Sequence, residues 1–129
     1  MINNYKFFLF SSNPDKLVTF YTETLGMKIV NKLEYEKDYG YALELCEGGP
    51  KIWLAKHSEV EGKNKDKFRI MLNLYVDSVS KYYELVKKNS ECEIIAEPFS
   101  GIDVNPNETR FVCTVADPEG NLIQFMGNK

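Results

Sequence analysis

Apolar residues recur along this chain at two periods, and the changes of period mark out its elements. Residues 5–10 form an aromatic-rich strand. Helical spacing then sets in, with Leu17, Val18, Phe20, Tyr21 and Leu25 on one side. Asn13 is the predicted N-cap, Pro14 occupies the first helical position, and Gly26 suits the left-handed residue that ends a helix. Residues 27–35 return to strand, Asp38-Tyr39-Gly40 is the expected turn, and residues 41–46 and 51–56 are strands joined across Glu47-Gly48-Gly49-Pro50. After a charged stretch at 58–67, residues 68–76 form a strand. Asp77 is expected to cap a second helix that carries Val79, Tyr82, Tyr83 and Val86 on one face. Residues 93–96 give a short strand and residues 98–108 a long loop. Residues 109–116 and 121–126 form a last hairpin around Asp117-Pro118-Glu119-Gly120.

The order β-α-β-β-β therefore occurs twice, which predicts an α+β fold of two βαβββ modules with mixed sheets. Module one covers residues 1–57, a linker 58–67, and module two 68–129. Residues repeat along with the elements: Phe20-Tyr21 answers Tyr82-Tyr83. Residues 41–45 align with 111–115, and 51–55 with 121–125, both at an offset of seventy.

Side chains along a strand alternate between faces. One set is almost purely apolar: Phe7 and Leu9, Leu43 and Leu45, Leu72 and Leu74, Cys113 and Val115, Ile123 and Phe125. This set is expected to pack under the helices, and Trp53, which aligns with Ile123, is expected either there or stacking in the cavity on the other face. The opposite set is mixed. Lys6, Phe8 and Phe10 share it with Ala42, Glu44 and Cys46, and Met71, Asn73 and Tyr75 share it with Thr114, Gln124 and Met126. Apolar walls with a few polar groups are what a ligand cavity requires; a second subunit covering the same face is the other way to use them.

Composition narrows the classes. The 129 residues suit one domain, and 43% hydrophobic with 27% charged residues is an ordinary globular balance. No apolar run approaches the roughly 20 residues of a membrane span, and the first residues lack a signal pattern, so a cytoplasmic protein with no membrane partner is expected. A net charge of −3 and a pI near 5.2 argue against nucleic acid as a partner. Cys46, Cys92 and Cys113 form no C-x-x-C pair and read as small apolar residues rather than a disulfide framework or a zinc site. His57 is the sole histidine and reads as a surface residue. Arg110, beside the long loop, could clamp an anion but reads more simply as exposed. No nucleophile triad, phosphate-cradling loop or nucleotide fingerprint is present.

Three segments carry a resemblance. Phe20-Tyr21-Thr22-Glu23-Thr24-Leu25-Gly26-Met27, Tyr41-Ala42-Leu43-Glu44-Leu45 followed by Gly48-Gly49-Pro50, and residues 117–125 with Asp117-Pro118-Glu119-Gly120-Asn121 resemble, in this order, the vicinal-oxygen-chelate superfamily of glyoxalases, extradiol dioxygenases and bleomycin resistance proteins. The resemblance covers nearly the whole chain. It implies paired βαβββ modules whose sheets curl around a cavity, and a homodimer. It also implies a metal held by His or Gln on the first strand, an acid on the L-E-L strand, His on the fifth strand and Glu on the last. This sequence has Lys6, Glu44, Met71 and Gln124 there, so only Glu44 matches, and neither a metal nor another cofactor is expected.

The expected function is metal-free binding of an amphipathic or aromatic small molecule, as in the antibiotic-sequestering branch. Phe8, Phe10, Tyr75 and Met126 would surround the ligand; Lys6, Glu44, Asn73 and Gln124 would orient it, with Met71 and Thr114 completing the wall. The alternatives are a metal-independent isomerase or lyase using Glu44 or Lys6 for proton transfer, and a protein whose dimer interface is its function.

Overall fold

The computed structural model describes residues 1–129 and divides into two compact units, residues 1–62 and 63–129. Each carries an open, four-stranded mixed sheet.

In the first unit, β1 (Phe7–Ser11) leads into α1 (Pro14–Thr19), followed by β2 (Lys28–Tyr35), β3 (Asp38–Glu44) and β4 (Lys51–Lys56). The sheet order is β1-β4-β3-β2, with β1 parallel to β4 and the other pairs antiparallel. Asn13 caps α1 by accepting from Lys16 N at 3.2 Å, with Pro14 at the first position. The helix then widens into a π-turn over Phe20–Thr24, where Leu25 N donates to Phe20 O at 3.1 Å. Phe20 and Tyr21 are both buried, edge to face at 5.1 Å. Gly26, at φ 74°, takes the left-handed position that ends the helix.

The second unit repeats the order with β5 (Met71–Val76), α2 (Val79–Lys87), β6 (Glu93–Ser100), β7 (Phe111–Ala116) and β8 (Leu122–Gly127), in sheet order β5-β8-β7-β6. Asp117 closes the β7–β8 turn. Its carboxylate is 1% exposed and accepts from Glu119 N, Asn121 N and Asn121 Nδ2 at 2.8–3.0 Å. The D-P-E-G-N segment is thus a side-chain-capped turn.

Several expectations need correction. The β2–β3 turn is residues 36–37, with Tyr35 opposite Asp38, and Asp38-Tyr39-Gly40 is already strand. Gly40 is there because β4 passes so close that a Cβ would stand 2.3 Å from Leu54 O. β3 ends at Glu44, which leaves Cys46 exposed on the following loop rather than inside a strand. Residues 67–69 make a short 3₁₀ turn, so β5 starts at Met71. Ser78, not Asp77, caps α2, accepting from Lys81 N at 3.3 Å. β6 continues through Pro98 to Ser100. It is an edge strand whose register slips at Ala96 and again before Phe99, and an edge strand with such slips tolerates a proline. The expected loop therefore begins only at Gly101.

The helix-facing set also divides. Leu43, Cys113, Val115, Ile123 and Phe125 are fully buried, joined by Ile52 and Leu54. Phe7 is 38% exposed, and Leu45, Leu72 and Leu74 are half-buried. Trp53 is on the other face. β1–β4 register pairs it with Phe8, and its neighbours Ile52 and Leu54 take the helix side. The reason is a slip in the repeat: the β3–β4 loop (residues 45–50) is one residue longer than the β7–β8 loop (residues 117–121). Trp53 therefore corresponds to Gln124, not to Ile123. No helix is long and apolar enough to cross a membrane.

Candidate functional site

On the first unit, the alternation of β1 sends Phe8 and Phe10 to the face away from α1, and the parallel register of β4 sets Trp53 beside Phe8 and Ala55 beside Phe10. Alanines at 42 and 55 on this face leave room for the rings. The aromatic groups form a row. Phe8 stacks on Phe10 with centroids 5.4 Å apart and an interplanar angle of 21°, Trp53 lies 6.3 Å from Phe8, and the His57 ring meets Phe10 edge-on at 4.9 Å. Phe8 and Phe10 are 43% and 39% exposed, so the row is an uncovered apolar surface. His57 is exposed and terminates the row, its Nδ1 accepting from Glu59 N at 3.0 Å.

At the other end of the row, Lys6 extends its ammonium over the indole of Trp53, with Nζ 4.0 Å from that centroid and 4.9 Å from that of Phe8. This is cation–π geometry. Beside it lies a cavity of about 540 Å³, lined by Asn4, Tyr5, Lys6, Gly48, Gly49, Pro50, Lys51 and Trp53. Glu44 stands where β3 runs into the β3–β4 loop, and its carboxylate is tied to that loop. It is the last residue of β3, pairs in register with Lys28 and Lys51, and accepts from Gly48 N at 3.1 Å through Oε1.

On the second unit the corresponding positions are polar. Asn73, Gln124 and Thr114 form one row across β5, β8 and β7, where the first unit has Phe8, Trp53 and Ala42. Asn73 Oδ1 is inaccessible to solvent and accepts no hydrogen bond. Tyr75 and Met126 form the next row, and Met71 opens β5. Tyr75 is exposed, and the Arg110 guanidinium stands 5.0 Å from its ring centre, with Nη1 also 3.6 Å from Glu108 Oε2. Arg110 is thus placed over an aromatic ring of the candidate face.

One cluster escaped the sequence reading. Asp15, in the first turn of α1, accepts from the hydroxyls of Tyr39 and Tyr41, which alternation puts on the helix side of β3. The two hydroxyls hold the Asp15 carboxyl below the usual carboxylate range, and the same bond pushes Tyr39 up to about 12. The i, i+2 tyrosine pair on β3 was the available signal, but its partner lies in a distant helix. Two of the three thiols are held protonated: burial pushes Cys92 up to about 12 and Cys113 to about 11, far from the thiolate form.

Comparison with known proteins gives the context. The profile of the Glyoxalase/Bleomycin resistance protein/Dioxygenase superfamily matches residues 4–125. Among solved structures, the trypanothione-dependent glyoxalase I of Leishmania major is similar with a TM-score of 0.77 and 21% identity, over 98% of this chain and 87% of that one. A glyoxylase/bleomycin resistance protein/dioxygenase domain from a Frankia species gives 0.75 and 17%, over 100% and 99%. TioX from a Micromonospora species gives 0.69 and 14%, over 98% and 99%. These likenesses are to a fold. No curated protein matches the chain.

The resemblance implies a metal, and the donor set does not fit one. A protonated ammonium at Lys6 has no lone pair, the thioether of Met71 is a soft ligand, and the Gln124 amide is neutral and weak. Glu44 has one oxygen engaged by its own loop. No group of three or more His, Cys, Asp or Glu side chains gathers anywhere in the structure. A zinc-type site needs about three or four converging N, O or S donors.

Proposed function

Because the chain belongs to the glyoxalase/bleomycin resistance protein/dioxygenase superfamily, we propose that it is a cytoplasmic small-molecule-binding protein that works without the family's metal, in the manner of the antibiotic-sequestering branch. The observation that carries this reading is the row Trp53, Phe8, Phe10 and His57, an uncovered aromatic stripe bordered by a cavity and a cation. Such a surface suits a flat apolar molecule with a polar end. The reading includes a homodimer, supported by the further exposed apolar residues Ile29 and Val30 on the edge strand β2. An isomerase or lyase using Glu44 has less support, since that carboxylate is engaged by its own loop.

The test is a thermal-shift screen of the full chain against divalent metals, antibiotics and aromatic metabolites, with equilibrium dialysis of any hit. A ligand present at about 100 times its Kd stabilises the folded state by about 2.7 kcal/mol. The expected result is a shift with aromatic compounds and none with zinc, nickel or iron. Stoichiometric metal binding with no organic ligand would refute the reading.

A further inference from the structure

We infer that the ligand is an aromatic anion, its negative group held by Lys6 and Lys51 in the cavity at the end of the row and its flat body laid along Phe8 and Phe10. The inference rests on the ligand-binding reading above and adds the sign of the ligand's charge. The first observation is where the ammonium of Lys6 goes. In a protein with 19 acidic residues it meets no carboxylate; it sits over Trp53 at 4.0 Å and Phe8 at 4.9 Å. The rings fix the position of a full positive charge whose hydrogen-bonding capacity is unspent. The second is the lining of the adjoining cavity of about 540 Å³. Lys6 and Lys51 are its charged groups, no carboxylate borders it, and Tyr5 and Trp53 supply its aromatic walls. The nearby Glu44 has Oε1 engaged by Gly48 N, and Lys51 has no ion-pair partner. The lining thus carries two lysines and no acidic residue on a chain of net charge −3, with the Glu44 carboxylate opposite Lys51 in register. The third is continuity: Phe8 touches the Lys6 charge at one side and stacks on Phe10 at the other, 5.4 Å away. A carboxylate or sulfonate meeting the two ammonium groups would carry an attached ring system directly onto that row. A cationic ligand would face two like charges there.

Calorimetric titration of the full chain with 2-naphthoate, its neutral counterpart 2-naphthamide and the cationic 2-naphthylmethylammonium tests this. The acid should bind about tenfold more tightly than the amide at low salt, which is about 1.4 kcal/mol. The preference should shrink as salt rises, and the ammonium should bind weakest. In the double variant K6Q/K51Q, acid and amide should bind alike, with the amide close to its wild-type affinity. K88Q, in the second unit and outside the cavity lining, should keep the preference, with circular dichroism checking that all variants fold. Equal binding of acid and amide, or a preference surviving in K6Q/K51Q, overturns the inference and leaves the ligand-binding reading standing. Binding of none of the three overturns both. Heats that vanish as protein concentration rises while sedimentation shows a dimer would mean that a second copy covers the face, and would overturn the inference as well.

Discussion

Asn73 holds a side-chain acceptor that solvent does not reach and no donor meets, on the face where Gln124 lies beside it and Thr114 one strand further on. Replacing it with leucine, of similar size, removes the orphan. A buried polar group left unpaired costs about 1–3 kcal/mol. Asn73 as a residue is only half-buried, so the lower end applies, and leucine recovers only part of its burial free energy. The expected net effect of Asn73→Leu is a stabilisation of about 1 kcal/mol, or a Tm rise of about 3 °C for a chain of this length. Guanidinium unfolding followed by circular dichroism reads this directly, with an unchanged m-value showing that the denatured state is unaltered. A loss of 1 kcal/mol or more on substitution would refute the reasoning, since it would mean that Oδ1 is satisfied in the free protein.

Two further perturbations follow from named contacts. Asp117 is itself 1% exposed, and Asp117→Ala strips the acceptor from two backbone N–H groups and one amide, which should cost about 2–4 kcal/mol in chemical denaturation; Asp117→Asn, which keeps an acceptor, should cost about half that. Tyr39 keeps its proton to about 12 in the folded chain against 10.0 ordinarily, so stability should fall as pH rises through that window, where the unfolded chain binds fewer protons, and Tyr39→Phe should flatten that fall in a Tm–pH series. The Asp15 carboxyl, held low by the two tyrosines, adds the opposite slope: its contribution is present above its ordinary value of 3.8 and is lost as pH drops below it.

The fold was legible because its signals are local. Asn13, Pro14 and Gly26 mark α1, and each does in the structure what its chemistry suggests. The apolar alternation of β7 and β8 gives Cys113, Val115, Ile123 and Phe125, all fully buried. What failed depends on a distant partner. Gly40 looked like a turn residue, but the constraint on it is the backbone of β4, far away in sequence. Pro98 looked like the start of a loop, but an edge strand tolerates it, and nothing local says that β6 is an edge.

The candidate site was legible in its residue types and not in its geometry. The mixed alternation picked out Lys6, Phe8 and Phe10, and all three belong to the aromatic row or its cationic end. An offset of seventy matches Trp53 to Ile123 and so favours the core over a stacking role on the other face. A single extra loop residue is enough to undo that, since side chains alternate with a period of two and a slip of one exchanges faces. The same slip decides what the two halves share. Once Trp53 is matched to Gln124, the middle row reads Phe8, Trp53, Ala42 in one unit and Asn73, Gln124, Thr114 in the other. One module has an aromatic and apolar row there, and the other has amides and a hydroxyl. Equivalent positions of the two modules therefore carry different chemistry, and the difference shows only once the register sets the face of Trp53.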